Sequence, residues 1–200
     1  KFEAEVAQVF GKDDAVFSIS GGMAQSIVLA INARRRSGGS VGNNSNSNNG
    51  SGKRRNVFAC HPTSHLLLHE NNHYSELLDM EAVIIGDGDG QTTQQRLYDP
   101  DALKDEGCYE LEPIRLSHVQ ELFASESSSI LTYPNQIPIN CTSKVDEILS
   151  TLMIELPHRE IGGKLTPWDE VTEISRLCRE RGIYYHCDGA RIFEASAGYG

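Results

Sequence analysis

Four short segments hold side chains whose type and spacing can do chemistry. Ser20-Gly21-Gly22 separates the apolar stretch Ala15 to Ile19 from an amphipathic one. A turn that opens a helix offers free backbone N–H groups and the positive end of the helix dipole. Its glycines let an anion such as phosphate approach closely, and Ser20 adds a hydroxyl donor. An ordinary strand-to-helix turn fits the same residues. Asp188 follows the apolar run Ile183 to Cys187 and precedes Gly189-Ala190-Arg191. A carboxylate at a strand end can bind a protonated ring nitrogen and keep it charged. Arg191 could clamp a carboxylate through two parallel hydrogen bonds; a structural Asp–Arg pair capping the next turn is the alternative. His61, His65, His69 and His73 recur every fourth residue, with Glu70 among them. On one unbroken helix they would form a metal-binding face. Pro62 and Asn71-Asn72 interrupt that helix, which predicts one working histidine with the others in loops or at the surface. Glu155-Leu156-Pro157-His158, followed by Gly162-Gly163, puts a histidine where it could act as acid, base or hydrogen-bond donor. A buried structural histidine fits there equally.

The elements that must position these groups alternate between strand and helix patterns. Phe2, Val6, Val9 and Phe10 recur at helical spacing, and Gly11 suits that helix's end. Ala15 to Ile19 is predicted as a strand, and Met23, Ile27, Ala30 and Ile31 mark a helix face. Val57 to Cys60 and Ala82 to Ile85 are predicted as strands, with a helix over Tyr74 to Met80 and a loop over Gly86 to Gln95. Helices are expected over Asp99 to Asp105 and Val119 to Ser125, and strands over Ser129 to Tyr133 and Leu152 to Leu156. Thr166 and Asp169 form a capping-box-like start with Pro167 at the first helical position. Trp168, Val171, Ile174 and Cys178 then share one face, Gly182 ends the helix, and Ile183 to Cys187 is a strand. Such alternation predicts an α/β fold: a largely parallel sheet with helices on both faces, whose ligands sit at the C-terminal ends of the strands.

Composition sets the limits. The chain has 200 residues and a formal net charge of −10, which argues against nucleic acid or an anionic membrane as partner. No apolar run approaches the roughly 18 residues that span a bilayer. Five cysteines without CxxC spacing point to reduced thiols and a cytoplasmic setting rather than a disulfide framework. Residues Arg34 to Asn56 are low in complexity, with six of the 18 basic residues and no acid. A Gly/Ser/Asn tract cannot bury enough apolar surface to order itself, so this block is expected to be a disordered, solvated insert. The start at Lys1, without Met, leads to the expectation that an N-terminal part is missing.

Taken in order, the segments resemble the threonine aldolase and β-eliminating lyase family, pyridoxal-phosphate enzymes of the aspartate-aminotransferase fold. The resemblance runs over nearly the whole chain outside the insert and is strongest from Ile154 to Ala195. Phe17-Ser18-Ile19-Ser20-Gly21-Gly22-Met23-Ala24 is similar to the family's phosphate-binding turn, with Gly22 where the family usually has Thr. Thr63-Ser64-His65, with Glu70 downstream, resembles the segment whose histidine stacks on the cofactor ring. Glu155-Leu156-Pro157-His158 is similar to the Glu-Asn-Thr-His loop, and His186-Cys187-Asp188-Gly189-Ala190-Arg191 is the most specific block.

The resemblance implies a three-layer α/β/α large domain, incomplete at both ends and interrupted at 34–56. Ser20, Gly21 and Gly22 would anchor the phosphate, His65 would stack on the ring, Asp188 would meet the pyridine nitrogen, and Arg191 would enter the substrate and cofactor site. The implied reaction cleaves a β-hydroxy-α-amino acid such as threonine to glycine and an aldehyde. His158 or His65 would take the β-hydroxyl proton, directly or through a water. The partners implied are a small amino acid and further subunits, as a homodimer or homotetramer. The family's covalent lysine lies beyond the Asp-Gly-Ala-Arg block. Here the last lysine is Lys164, in a Gly-rich loop, so the sequence is expected to be a fragment that is inactive alone. β-Elimination, a non-catalytic remnant of the fold, and metal binding through the histidine ladder are the alternatives.

Overall fold

In a computed structural model, the residues described are 1–36, 56–86, 111–125, 132–133 and 144–200. Among them, five strands form one sheet in the order β3-β2-β1-β4-β5. These are β1 (Val57–Cys60), β2 (Glu81–Ile84), β3 (Thr132–Tyr133), β4 (Leu149–Glu155) and β5 (Tyr184–Asp188). The β2–β1, β1–β4 and β4–β5 pairs are parallel, and β3 adds an antiparallel edge. The central strands β1 and β4 are buried along their whole length, as expected of a parallel sheet covered on both faces.

The alternation of side chains sorts these residues onto two faces. Ala59, Val83, Leu152 and Ile154 pack with Val119 and Leu122 of one helix (Leu116–Ala124) and Val171 and Ile174 of another (Trp168–Glu180). Phe58, Cys60, Ala82 and Met153 pack on the other face, against Leu29 and Ala33 of helix Gly21–Arg36 and Leu66 of a short helix, His65–Leu68. In chain order the helices are α1 (Phe2–Val9), α2 (Gly21–Arg36), α3 (His65–Leu68), α4 (His73–Glu76), α5 (Leu116–Ala124), α6 (Val145–Ile148), α7 (Trp168–Glu180) and α8 (Ile192–Tyr199). The register shifts between β1 and β4: Val57 pairs with Leu149, but Phe58 pairs with Thr151. Ser150 is thus an extra residue, and the bulge puts Leu149 and Leu152 on one face. Its hydroxyl donates to the Val57 carbonyl at 2.8 Å.

The three-layer architecture agrees with the sequence, and particular elements depart from it. Ala15 to Ile19 is not a strand. Val16 and Ile19 are more than four-fifths exposed, and the Phe17 N–H bonds the Glu3 carboxylate at 2.7 Å instead of a neighbouring strand. The helix expected over Tyr74 to Met80 is the short α4, bracketed by Asn72 and Asp79 in left-handed conformations. Thr166 does not cap α7. Its hydroxyl donates to the Ile114 carbonyl at 2.9 Å, and the helix begins at Trp168, after Pro167. Arg34 to Arg36, expected in the insert, complete α2, and Asn56 bonds the Asp79 carbonyl. Positions 37–55 and the helix expected at Asp99 to Asp105 lie outside the described residues, as does all of the predicted loop except Gly86. Among the described residues, no helix is long and apolar enough to cross a membrane.

Candidate active site

Parallel strands end together, and their C-terminal ends gather the chemistry. Glu155 closes β4, Asp188 closes β5, and the two are register partners. Helix α2 starts at Gly21 and α3 at His65, beside the same ends. A cleft of about 170 Å³ is lined by Gly21, Gly22, Gln25 and His65 and by Glu155, Pro157, Arg159, Asp188, Ala190 and Arg191.

The turn before α2 has the local structure its residues dictate. The Ser20 Oγ accepts the Met23 N–H at 3.2 Å, as a helix-capping serine does. Space above Gly21 is open, whereas a Cβ on Gly22 would lie 2.6–2.8 Å from the Glu70 carboxylate. Glycine at position 22 therefore leaves room for Glu70. That carboxylate also holds two imidazoles, with His65 Nε2 at 3.3 Å and His73 Nδ1 at 3.4 Å. His73 Nε2 in turn meets the Ser26 hydroxyl at 2.9 Å.

Asp188 is held from two sides. Its Oδ1 accepts the Ala190 N–H at 3.1 Å, and its Oδ2 accepts the Gln25 side-chain amide. Arg191 does not pair with Asp188; its Nε lies 3.9 Å from Glu194, and its side chain borders the cleft half-exposed. Glu155 is 7% exposed, and its Oε1 accepts the His65 backbone N–H at 2.6 Å. Burial, with Asp188 nearby, pushes its carboxyl up to about 7, against the pull of that N–H.

The structure brings Gly21, Gly22, His65, Asp188 and Arg191 to one cleft, with Ser20 at its edge. His158 stands apart. It is 2% exposed, and its Nε2 lies 2.8 Å from the Thr63 hydroxyl and 4.0 Å from Glu155 Oε2. The histidine ladder does not form one helical face. His61 is buried against the His158 ring, His65 and His73 flank Glu70, and His69 reaches Glu160 at 3.0 Å. Among the described residues, no three such side chains gather as a metal set. Lys164 faces elsewhere, its Nζ donating to the Leu111 carbonyl at 2.8 Å and to Glu112 at 3.0 Å. Gln25 and Glu70 escaped the sequence reading. Gln25 had a usable signal: it is a polar residue one turn after Gly21 on a helix whose Leu29 and Ala33 face the core.

A family model described as β-eliminating lyase matches residues 142–200, which include β4, α7, β5 and Asp188. Solved structures extend the likeness over the rest of the chain. A crystal structure from Exiguobacterium sp. 255-15, named an aromatic amino acid β-eliminating lyase/threonine aldolase, is 29% identical with a TM-score of 0.64. The match covers 99% of this chain and 38% of that one. The family-model match and the structural likeness together support a place in the β-eliminating lyase and threonine aldolase family. A second solved structure, named an L-allo-threonine aldolase from Listeria monocytogenes EGD-E, is 31% identical with a TM-score of 0.55. It is matched over 96% of this chain and 36% of its own length, so the chain spans less than two fifths of either structure. No curated protein matches.

The cleft fits the cofactor that such a family implies. The Gln25 Oε1 is buried and without a hydrogen-bond partner, an acceptor waiting for a ligand donor. Open space over Gly21, at the N-terminus of α2, suits a phosphate, and Asp188 suits a protonated ring nitrogen.

Proposed function

We propose that this cleft holds pyridoxal phosphate in a carbon–carbon lyase of the threonine aldolase type. The observation that carries the reading is Asp188 at the end of β5, fixed by Gln25 and the Ala190 N–H in the cleft that Gly21 and Gly22 also line. Bound there, the cofactor would supply an electron sink for negative charge at the substrate's α-carbon. Asp188 would hold the ring nitrogen protonated, and Ser20, Gly21 and Gly22 would anchor the phosphate. His65 would stack on the ring, and Arg191 would bind the substrate carboxylate.

The substrate class is a β-hydroxy-α-amino acid. The β-hydroxyl loses its proton, the Cα–Cβ bond breaks, an aldehyde leaves, and Cα takes up a proton to give glycine. His65 borders the cleft with its Nε2 beside Glu70, so it is the histidine placed to receive the hydroxyl proton, directly or through a water. The setting proposed is cytoplasmic, with subunits associating as a homodimer or homotetramer, and with no nucleic-acid or membrane partner.

The test is product analysis on the protein as its gene encodes it, supplied with pyridoxal phosphate. Acetaldehyde and glycine from L-threonine or L-allo-threonine support the reading. Ammonia and a keto acid from an amino acid, without glycine, would replace it with β-elimination. Among the described residues the cleft has no lysine, so the 200-residue chain is expected to bind the cofactor without releasing glycine from threonine. Glycine formation by that chain at an enzymatic rate would contradict this.

A further inference from the structure

Behind the cleft runs a buried polar chain that the proposed reaction does not use. It starts at the Glu112 backbone carbonyl, which can only accept. His61 Nε2 lies 3.0 Å from that oxygen, so Nε2 carries the ring proton. His61 is 1% exposed; burial, helped by the neighbouring His158, brings it down to about 3, and the ring is neutral at physiological pH. A neutral ring protonated at Nε2 has a bare lone pair at Nδ1. Thr63 meets that lone pair with its N–H at 3.2 Å and its hydroxyl at 2.9 Å.

The Thr63 hydroxyl has one proton. Given to His61, it leaves Oγ1 with lone pairs alone for its next neighbour, His158 Nε2 at 2.8 Å. His158 must then donate, which puts its own proton on Nε2. The reverse polarity would set two lone pairs against each other across the 2.9 Å between Thr63 and His61. Glu155 Oε2 is 4.0 Å from His158 Nε2, beyond hydrogen-bond reach.

We infer that Thr63 is a positioning residue that fixes His158 as a neutral Nε2–H donor committed to Thr63, so that Glu155, not His158, is the group of this pair that carries the cleft's proton. The surroundings agree. His158 faces His61, Glu155, Glu160 and Asp188, and burial outweighs a hydrogen bond to the Thr63 backbone and the nearby acids and brings its ring down to about 4. Glu155 faces Asp188, Cys60, Cys187, His65 and His158, and no cation pairs with it closely enough to offset burial. His61 faces His158 and His118, which bring no negative charge. What Glu155 does with its proton rests on the lyase reading; the tautomer does not.

Nitrogen-15 NMR of the histidine rings in the full 200-residue chain, without ligand, reads the tautomer directly. His158 is expected with Nε2 protonated and Nδ1 bare from about pH 8 to about pH 5.5, and Thr63→Ser is expected to keep that state. Thr63→Val removes the acceptor and should move a measurable fraction of His158 to the Nδ1-protonated form. If the valine variant does not fold, the wild type and Thr63→Ser still decide. A wild-type His158 protonated at Nδ1, a ring that titrates within that range, or a folded Thr63→Val with its tautomer unchanged would overturn the inference. A carboxyl carbon-13 titration, assigned with Glu155→Gln, should place the Glu155 midpoint near neutrality; a midpoint below about 5 overturns that half. Absorbance titration of the same chain with pyridoxal phosphate is the separate arm. Failure to bind there strikes the lyase reading and leaves the tautomer result standing.

Discussion

Replacing Glu155 by Gln should leave stability unchanged near pH 4 and raise it increasingly as the pH rises. Glu155 is 7% exposed at the end of β4, and burial first, then Asp188, moves its carboxyl from about 4.5 to about 7. The folded chain therefore holds this proton more tightly than the unfolded chain. Below about pH 4.5 both states are protonated, and Glu155 takes nothing from stability. As the pH rises, the unfolded state releases its proton first and stability falls, until the loss levels off above about pH 7. At 1.36 kcal/mol per pH unit, the loss is about 2 kcal/mol near pH 6 and about 3 kcal/mol near pH 8. Glutamine still accepts the His65 N–H but cannot ionise. The variant should match the wild type near pH 4 and exceed it by those amounts at higher pH. His61 and His158, brought down to about 3 and about 4, act in the opposite direction. Their unfolded rings take up protons below about pH 6.5 and weaken the fold in acid, in both chains alike, so their effect cancels in the difference. Urea unfolding across the pH series measures it. A difference independent of pH, or a variant weaker than wild type near pH 8, would refute the claim that burial governs Glu155.

Two further expectations follow from the packing. Leu152→Ala removes a fully buried side chain from the strand between the two helical layers, and urea unfolding should show a loss of about 3 kcal/mol; a loss below about 1 kcal/mol would mean that the site collapses around the gap. Gly22→Thr puts a Cβ where the Glu70 carboxylate lies, 2.6–2.8 Å away. Glu70 should swing aside and release His65 and His73, which proton NMR of their rings will register. Unshifted ring signals in the folded variant would show that the contact does not order them.

Much of this was readable in the residues, for stated reasons. Val57 to Cys60 and the run through Leu152 are continuous apolar stretches, which in a chain with alternating helix patterns belong inside a parallel sheet. Asp188 was legible because an apolar strand ends there and glycine follows. Ala15 to Ile19 misled because an apolar run says nothing about whether a neighbouring strand is available. The spacing of the histidines could not say that His61 turns inward to His158 while His65 and His73 close on Glu70, since these contacts join separate elements. Gln25 and Glu70 were missed for the same reason: Gln25 matters through Asp188, 163 positions away, and Glu70 through its contact with Gly22.

Asp188, Gln25 and the Gly21 turn are proposed to form a cradle for pyridoxal phosphate. The cradle is tested most directly by equilibrium binding of pyridoxal phosphate to the 200-residue chain, followed by absorbance, beside Asp188→Asn. Saturable binding of one cofactor per chain is expected, competed by inorganic phosphate and weakened at least tenfold in the variant, about 1.4 kcal/mol for the lost carboxylate charge facing the ring nitrogen. No saturable binding, or equal binding by both chains, would contradict it.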